Sequence, residues 1–253
     1  MTSIIPTSSK GLNEEKKAPS SNGQAAGEKK ISERIRARLV AEGVSFLAND
    51  NVSEHIQPGE LDELEIEVAE RVRDLLETLL IDVDNDHNTE ETAERVARMY
   101  LNEVFKGRYQ KQPKVTSFPN VKQLDEIYTV GPITVRSACS HHFVPIMGSC
   151  WIGIKPGNRV IGLSKFARVA DWVFSRPHIQ EEAVMILADE IERLCEPQGL
   201  GIIVRAEHYC MKLRGVMEPQ CTMVNSVVRG VFRHDSSLKQ EFFELVRQQE
   251  ASL

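Results

Sequence analysis

Nowhere in the 253 residues do about eighteen apolar residues run consecutively, so no segment reads as a membrane-crossing helix. A basic excess is equally absent. The net charge is −6, which argues against broad nucleic-acid binding while leaving room for a small anion held by a local basic cluster. The first residues, Met1-Thr2-Ser3-Ile4-Ile5-Pro6, lack the basic start and long apolar stretch of a secretory signal. Cysteines number five, an odd and scattered set that fits free or metal-binding thiols in a reducing compartment better than a disulfide framework. The cytoplasm is the expected location. No internal repeat and no glycine-rich phosphate loop are present.

What is present suffices for one large domain with appendages, since 41% of the residues are hydrophobic. Residues 1–30 are rich in Ser, Gly, Lys, Glu and Asn and read as a disordered tail, a place where a regulator could attach. Residues 31–60 read as a helical extension, with an amphipathic helix from Ile31 to about Leu47 carrying Ile35, Leu39, Val40 and Val44. The main domain spans 61–253, helical over 61–106 and sheet-based over 115–250. Its first helix sets Leu61, Leu64, Val68, Val72, Leu75, Leu76 and Leu79 on one face. The acidic loop from Asp82 to Asn88 lacks the glycine and terminal glutamate of a calcium loop. Asn88 with Glu91 resembles a capping box for a helix from about Thr89 to Phe105, with Val96, Met99, Tyr100, Val104 and Phe105 inward.

Past Gly107 the texture changes to short β-branched runs punctuated by proline. Strands are expected over 127–136 and 143–155, with Pro156-Gly157-Asn158 turning the latter into a hairpin with Arg159-Val160-Ile161. Helices are expected over 164–174, 179–194 and 237–249, and strands over 200–206 and 224–232. Strands and helices come in blocks, which favours an α+β fold with an antiparallel sheet.

Three constellations carry chemistry. Cys139-Ser140-His141-His142 sets a thiol and an imidazole at C-x2-H spacing, and His208-Tyr209-Cys210 sets an imidazole and a thiol at i and i+2 on an expected strand. Cys139, His142 and Cys210 would give zinc three ligands and leave its fourth position open, the usual arrangement of a catalytic zinc. His141 and His208 would then be free to move protons. Buried thiols with satisfied histidines, or a Cys139–Cys210 disulfide, are the competing readings. Cys150 and Cys195 read as buried structural thiols. The second constellation is basic. Ser164, Lys165 and Arg168 gather at a helix start, and Lys212 and Arg214 follow Cys210, a set suited to phosphate oxygens or else to ordinary surface charge. Arg95 and Arg98 project from one helix, where Glu91 and Glu94 offer them plain partners. The third is Gln180-Glu181 at another helix start. Its carboxylate and amide suit the N–H edge of guanine, or simply compensate the helix dipole.

Taken together, Cys139-Ser140-His141-His142-Phe143-Val144-Pro145, Ile161-Gly162-Leu163-Ser164-Lys165-Phe166-Ala167-Arg168, Arg176-Pro177-His178-Ile179-Gln180-Glu181 and His208-Tyr209-Cys210-Met211-Lys212-Leu213-Arg214-Gly215-Val216 resemble GTP cyclohydrolase I, over roughly Leu61 to Arg247. Asp84-Asn85-Asp86-His87-Asn88-Thr89 and Arg95-Val96-Ala97-Arg98-Met99-Tyr100 also look like that family. The resemblance implies a tunnelling fold, in which antiparallel sheets of several subunits close a barrel with helices outside. It implies a homodecamer of two pentamers with active sites between subunits. It further implies zinc on Cys139, His142 and Cys210, proton transfer by His141 and His208, and guanine held by Glu181 with Gln180. Ser164, Lys165, Arg168 and Arg214 would take the triphosphate and ribose region, Ser164 also moving a proton in the ribose rearrangement. Arg95 and Arg98 would reach phosphates from a neighbouring subunit. The implied reaction converts GTP and water to 7,8-dihydroneopterin triphosphate and formate, the first step of pterin and folate synthesis.

The chain departs from the family pattern at Ser140, Ala93 and His178, and Cys221 has no family role. The alternative function is a non-catalytic zinc-binding relative serving as an assembly or binding module. Against it stand His141, His208 and Glu181, which a structural zinc would not need.

Overall fold

The computed structural model describes residues 29–251, so of the tail expected over residues 1–30 all but the last two residues lie outside them. Helix α1 (Ile31–Ala41) buries Ile31, Ile35 and Leu39, one residue per turn, around Val52. It ends six residues earlier than expected. Glu42 caps it and Gly43 follows at φ +65°, a conformation that stops a helix readily in glycine. Val40 consequently faces solvent. Helix α2 (Glu60–Thr78) is clamped to α1 by a two-pronged Arg38–Glu60 pair at 2.6 and 2.7 Å and by Ser32, whose backbone N–H and hydroxyl both donate to Glu67. The apolar stripe of α2 is only partly covered. Leu64 packs against the α1 cluster, whereas Leu75 and Leu79 are 56% and 61% exposed within one chain.

Helix α3 (Thr92–Met99) runs into a π-helical turn, Tyr100–Val104, and then a short helix, α4 (Lys106–Tyr109). Two expectations change here. The capping box is not formed, because the Asn88 backbone N–H and side-chain amide both donate to the Asp86 carboxylate, and the helix begins three residues later. The buried stripe is Ala93, Ala97, Leu101 and Phe105, spaced by four, while Val96 and Met99 are only half-buried.

The remaining strands and helices are β1 (Ser117–Pro119), β2 (Tyr128–Cys139), β3 (Pro145–Lys155), β4 (Arg159–Ile161), α5 (Leu163–Phe174), β5 (Pro177–His178), α6 (Gln180–Cys195), β6 (Gly199–His208), α7 (Tyr209–Lys212), β7 (Met223–Gly230), α8 (Val231–His234) and α9 (Ser236–Glu250). Five strands form one sheet in the order β5-β2-β3-β6-β7, antiparallel except for the two-residue β5 beside β2. The α+β architecture with an antiparallel-rich sheet is therefore as expected. The expected hairpin of β3 with residues 159–161 is not formed. β4 pairs instead with β1, and together they make a separate two-stranded sheet.

Strand alternation distributes the core over both faces. Cys150, Ile152 and Ile154 of β3 join Ile202 and Val204 of β6 beneath α5 and α6, which contribute Phe166, Val169, Val173, Leu187 and Ile191. Trp151, between them in sequence, joins Phe232, Phe242 and Val246 in a second cluster. Phe242 of α9 lies against Gly153 and Gly201, which face each other across β3 and β6, and a Cβ on either would stand 2.2 or 2.5 Å from its ring. Burying that ring contributes about 1.5–3 kcal/mol. No described helix is long and apolar enough to cross a membrane.

Candidate metal centre

One end of the sheet collects the residues of interest. β2 ends at Cys139, β6 ends at His208, and α6 begins at Gln180. The hairpin between β2 and β3 is the Cys-Ser-His-His-Phe-Val segment itself. The Cys139 carbonyl accepts from the backbone N–H groups of His142 and Phe143, at 3.3 and 2.8 Å, and the Cys139 N–H donates to Val144 at 2.9 Å. Phe143 sits at φ +55°, uncommon for an aromatic residue. Its ring packs 5.3 Å from Phe105 and 6.1 Å from Tyr100, which anchors the loop to the helical layer.

Within this frame Cys139, His142 and Cys210 present ligand atoms all within 4.8 Å of one another. Two thiols and an imidazole form a donor set suited to zinc, and three protein ligands leave a coordination position free. Both cysteines are free thiols, so the disulfide alternative is not realised. The expected strand geometry around Cys210 does change. β6 stops at His208, and Cys210 occupies the short helix α7, so the side chains of His208 and Cys210 diverge instead of sharing a strand face. Cys210 turns toward Cys139, and His208 turns toward Gln180, with Nε2 2.8 Å from Oε1.

The electrostatics follow from burial. Partial burial and the neighbouring Cys139 thiol push the Cys210 thiol above its usual range. Burial lowers His208, and the negative charge of Glu181 partly offsets this. His141 places Nδ1 3.7 Å from the Cys139 sulfur, outside the three-residue group yet touching it. His142 Nε2 is 2.8 Å from Arg214 Nη1. Cys150 and Cys195 are buried, as expected of structural thiols, and burial pushes Cys195 up to about 12. His178 lies 1% exposed beside Cys139 in the β2–β5 pairing; burial lowers it to about 4, and its Nδ1 has no partner among the described residues.

The substrate-binding candidates divide into two groups. Gln180, Glu181 and Arg214 belong to the metal end. Gln180 is buried, with both ends of its amide engaged by the protein, while the exposed Glu181 carboxylate makes no hydrogen bond or ion pair among the described residues. Ser164, Lys165 and Arg168 stand at the opposite end of α5. The ring of their neighbour Phe166 meets Tyr128, at the start of β2, whereas Cys139 is at its end. About 15 Å of helix separates Ser164 from the metal end of the same chain. Lys165 donates to the Lys114 carbonyl, and Arg168 makes no hydrogen bond or ion pair among the described residues. Arg95 pairs with Glu91 at 2.6 Å and Arg98 approaches Glu65 at 3.6 Å, both exposed on α3. Lys212 is paired with Glu207.

One residue of this region escaped the sequence reading. Asn225 of β7 takes the Gln180 amide N–H at 2.7 Å. Its signal is a polar residue paired in register with the buried Val204, at an inward position of β7.

The family model described as GTP cyclohydrolase I matches residues 68–247. A protein named GTP cyclohydrolase 1 from Actinobacillus pleuropneumoniae serotype 5b is 32% identical over 216 residues, covering 85% of this chain and 96% of the relative. Its namesake from Erwinia tasmaniensis is 34% identical over 181 residues, 71% of this chain and 81% of the relative. That from Aliivibrio salmonicida is 31% identical over 214 residues, 84% and 95%. Among solved structures, an archaeosine synthase QueF-like protein in the apo form aligns at 12% identity with a TM-score of 0.32, over 47% of this chain and 97% of that one, too slight a likeness to bear on the fold.

Proposed function

The chain belongs to the GTP cyclohydrolase I family, and on that premise we propose that it is a zinc-dependent enzyme converting GTP and water to 7,8-dihydroneopterin triphosphate and formate. The supporting observation is the convergence of Cys139, His142 and Cys210 at the sheet end that also carries His141, His208 and Glu181. Zinc held there by the two thiols and the imidazole would supply Lewis acidity and lower the pKa of water. His141, against the Cys139 sulfur, is placed to deliver or take a proton beside the metal group. His208, two residues before Cys210, serves the other side of the same opening. The exposed Glu181 carboxylate is positioned to accept the N–H groups of guanine, a donor-rich edge that fixes the purine's orientation. Arg214 adds a fork for phosphate oxygens.

Ser164, Lys165 and Arg168 complete the triphosphate and ribose contacts in this reading, with Ser164 as a proton carrier for the ribose rearrangement. Because α5 holds them away from Cys139 in one chain, the working site needs a second subunit to bring them in. The partly uncovered stripe of α2 and the free edge of β7 are consistent with assembly, here taken as a decamer of two pentamers with sheets closing into a barrel. Arg95 and Arg98 are assigned to phosphates of a neighbouring site. Five free thiols suit a reducing compartment, and the cytoplasm is the proposed location. The product places the enzyme at the entry to pterin and folate synthesis.

Purified protein supplied with zinc and GTP should release formate and yield a pterin that fluoresces after oxidation. Cys139→Ser and Cys210→Ser should each lose bound zinc and turnover together. A zinc-loaded protein that releases no formate would refute the activity, and zinc retained by both serine variants would refute the ligand set.

A further inference from the structure

Gln180 opens α6 and is 3% exposed, a buried amide at the edge of a polar site. Its nitrogen lies 2.7 Å from Asn225 Oδ1 and 3.2 Å from the Val204 carbonyl, with the Met223 carbonyl at 3.5 Å. Backbone carbonyls only accept hydrogen bonds, so the end of the amide facing Val204 must be the NH2 group. The opposite end is then the carbonyl, and Oε1 is the atom 2.8 Å from His208 Nε2. An amide oxygen cannot donate, so the hydrogen in this contact belongs to His208. A neutral imidazole carries one N–H, which leaves Nδ1 with the lone pair. Backbone carbonyls of two strands, β6 and β7, thus dictate the orientation of a side chain on α6, and that side chain dictates the state of a histidine at the end of β6.

We infer that Gln180 is a positioning residue for His208, locking its ring and its Nε2–H form, and is not a reader of guanine. Asn225 is the second link of the same relay. The amide has no unengaged end to offer a purine, so guanine recognition falls to Glu181. The histidine presents its basic nitrogen, Nδ1, away from the relay. This inference rests on the reading of His208 as a proton carrier in GTP hydrolysis.

The test uses the full-length, zinc-loaded protein. Gln180→Ala should lower kcat for formate release by about 10- to 100-fold, the usual scale for removing an orienting partner of a working histidine, with KM for GTP within about twofold of wild type. Asn225→Ala should lower kcat by a smaller factor, about three- to tenfold. Asn225→Asp, which keeps an oxygen for the Gln180 amide, should restore it. Independently of turnover, 15N-histidine-labelled protein should show a downfield, slowly exchanging imidazole N–H resonance. That signal should be assigned by its loss in His208→Ala, should disappear in Gln180→Ala and should persist in Asn225→Asp. A raised KM with kcat preserved in Gln180→Ala would make Gln180 a guanine contact and overturn the proposal. So would an unchanged resonance in that variant. Should Gln180→Ala fail to fold, the Asn225 pair decides, since equal losses in Asn225→Ala and Asn225→Asp contradict the relay. If wild type releases no formate, the activity reading fails on its own, and the resonance still tests the contact.

Discussion

Arg214 Nη1 lies 2.8 Å from His142 Nε2, so the arginine holds the lone pair of an imidazole that also belongs to the three-residue metal group. Arginine is a donor only and does not lose its proton, which forces Nε2 to be the accepting nitrogen. A neutral imidazole has one such lone pair. A zinc ion at Nε2 would compete for it directly, and a zinc ion at Nδ1 would require the hydrogen to sit on Nε2, facing an N–H. Either way the metal and this hydrogen bond exclude each other, and loading the site would free Arg214 for phosphate. The contact is worth about 1 kcal/mol to the metal-free protein. Arg214→Ala should therefore bind zinc roughly fivefold more tightly in a chelator competition at neutral pH, while KM for GTP rises. Equal or weaker zinc affinity would show that the contact does not oppose the metal.

The readability of this chain follows the range of the interactions involved. Cys139 and His142 were legible because a three-residue spacing within one loop already determines that they can meet. The helices α5, α6 and α9 were legible because each has a well-covered apolar stripe with period 3.6. The length of α1 was not, since Val44 continues the stripe in sequence but follows Gly43, whose left-handed conformation ends the helix first. The partner of β4 was hidden because the local turn Pro156-Gly157-Asn158 favours a hairpin, and only the tertiary layout brings β1 alongside. The packing of Gln180 was hidden for the same reason. Its neighbours in sequence are a glutamate and an apolar residue, whereas its partners come from β6 and β7, between 24 and 45 residues away.

The clamp between the first two helices makes stability depend on acid. The Arg38 guanidinium, hydrogen-bonded to Glu60 through both nitrogens, holds that carboxyl down at about 2 against an ordinary 4.5. The folded-state value is the lower one, so the stabilisation is complete above about pH 4.5 and is lost as pH falls through about 2. Solvent at the rim of the pair limits it to about 1–2 kcal/mol. Glu60→Gln should lower Tm at pH 7 by about 3–6 °C. The gap between variant and wild type should narrow steadily in melts taken from pH 4.5 down to 2. A gap of constant width over that interval would mean that the charge on Glu60 contributes nothing.

The separation of Ser164 from Cys139 by the length of α5 predicts complementation between two inactive proteins. If one subunit supplies Cys139, His142 and Cys210 and another supplies Ser164, Lys165 and Arg168, a defect in either set leaves the other set intact on the same chain. Cys139→Ser and Arg168→Ala should each be nearly inactive alone. Dissociated, mixed in equal amounts and reassembled at random, they should form sites of four kinds, of which about one in four draws both halves from undamaged surfaces. Formate release should therefore rise from near zero to roughly a quarter of wild type, a recovery that no pair of inactive monomers could produce. The double variant Cys139→Ser with Arg168→Ala on one chain, reassembled with wild type, provides the control for random mixing. There the intact quarter of sites lies only between two wild-type subunits, and every site between unlike subunits carries a defective half and is silent. No recovery in the first mixture, with mixed oligomers demonstrated by mass, would place both halves of the site on one subunit and require α5 to lie differently from the arrangement described above.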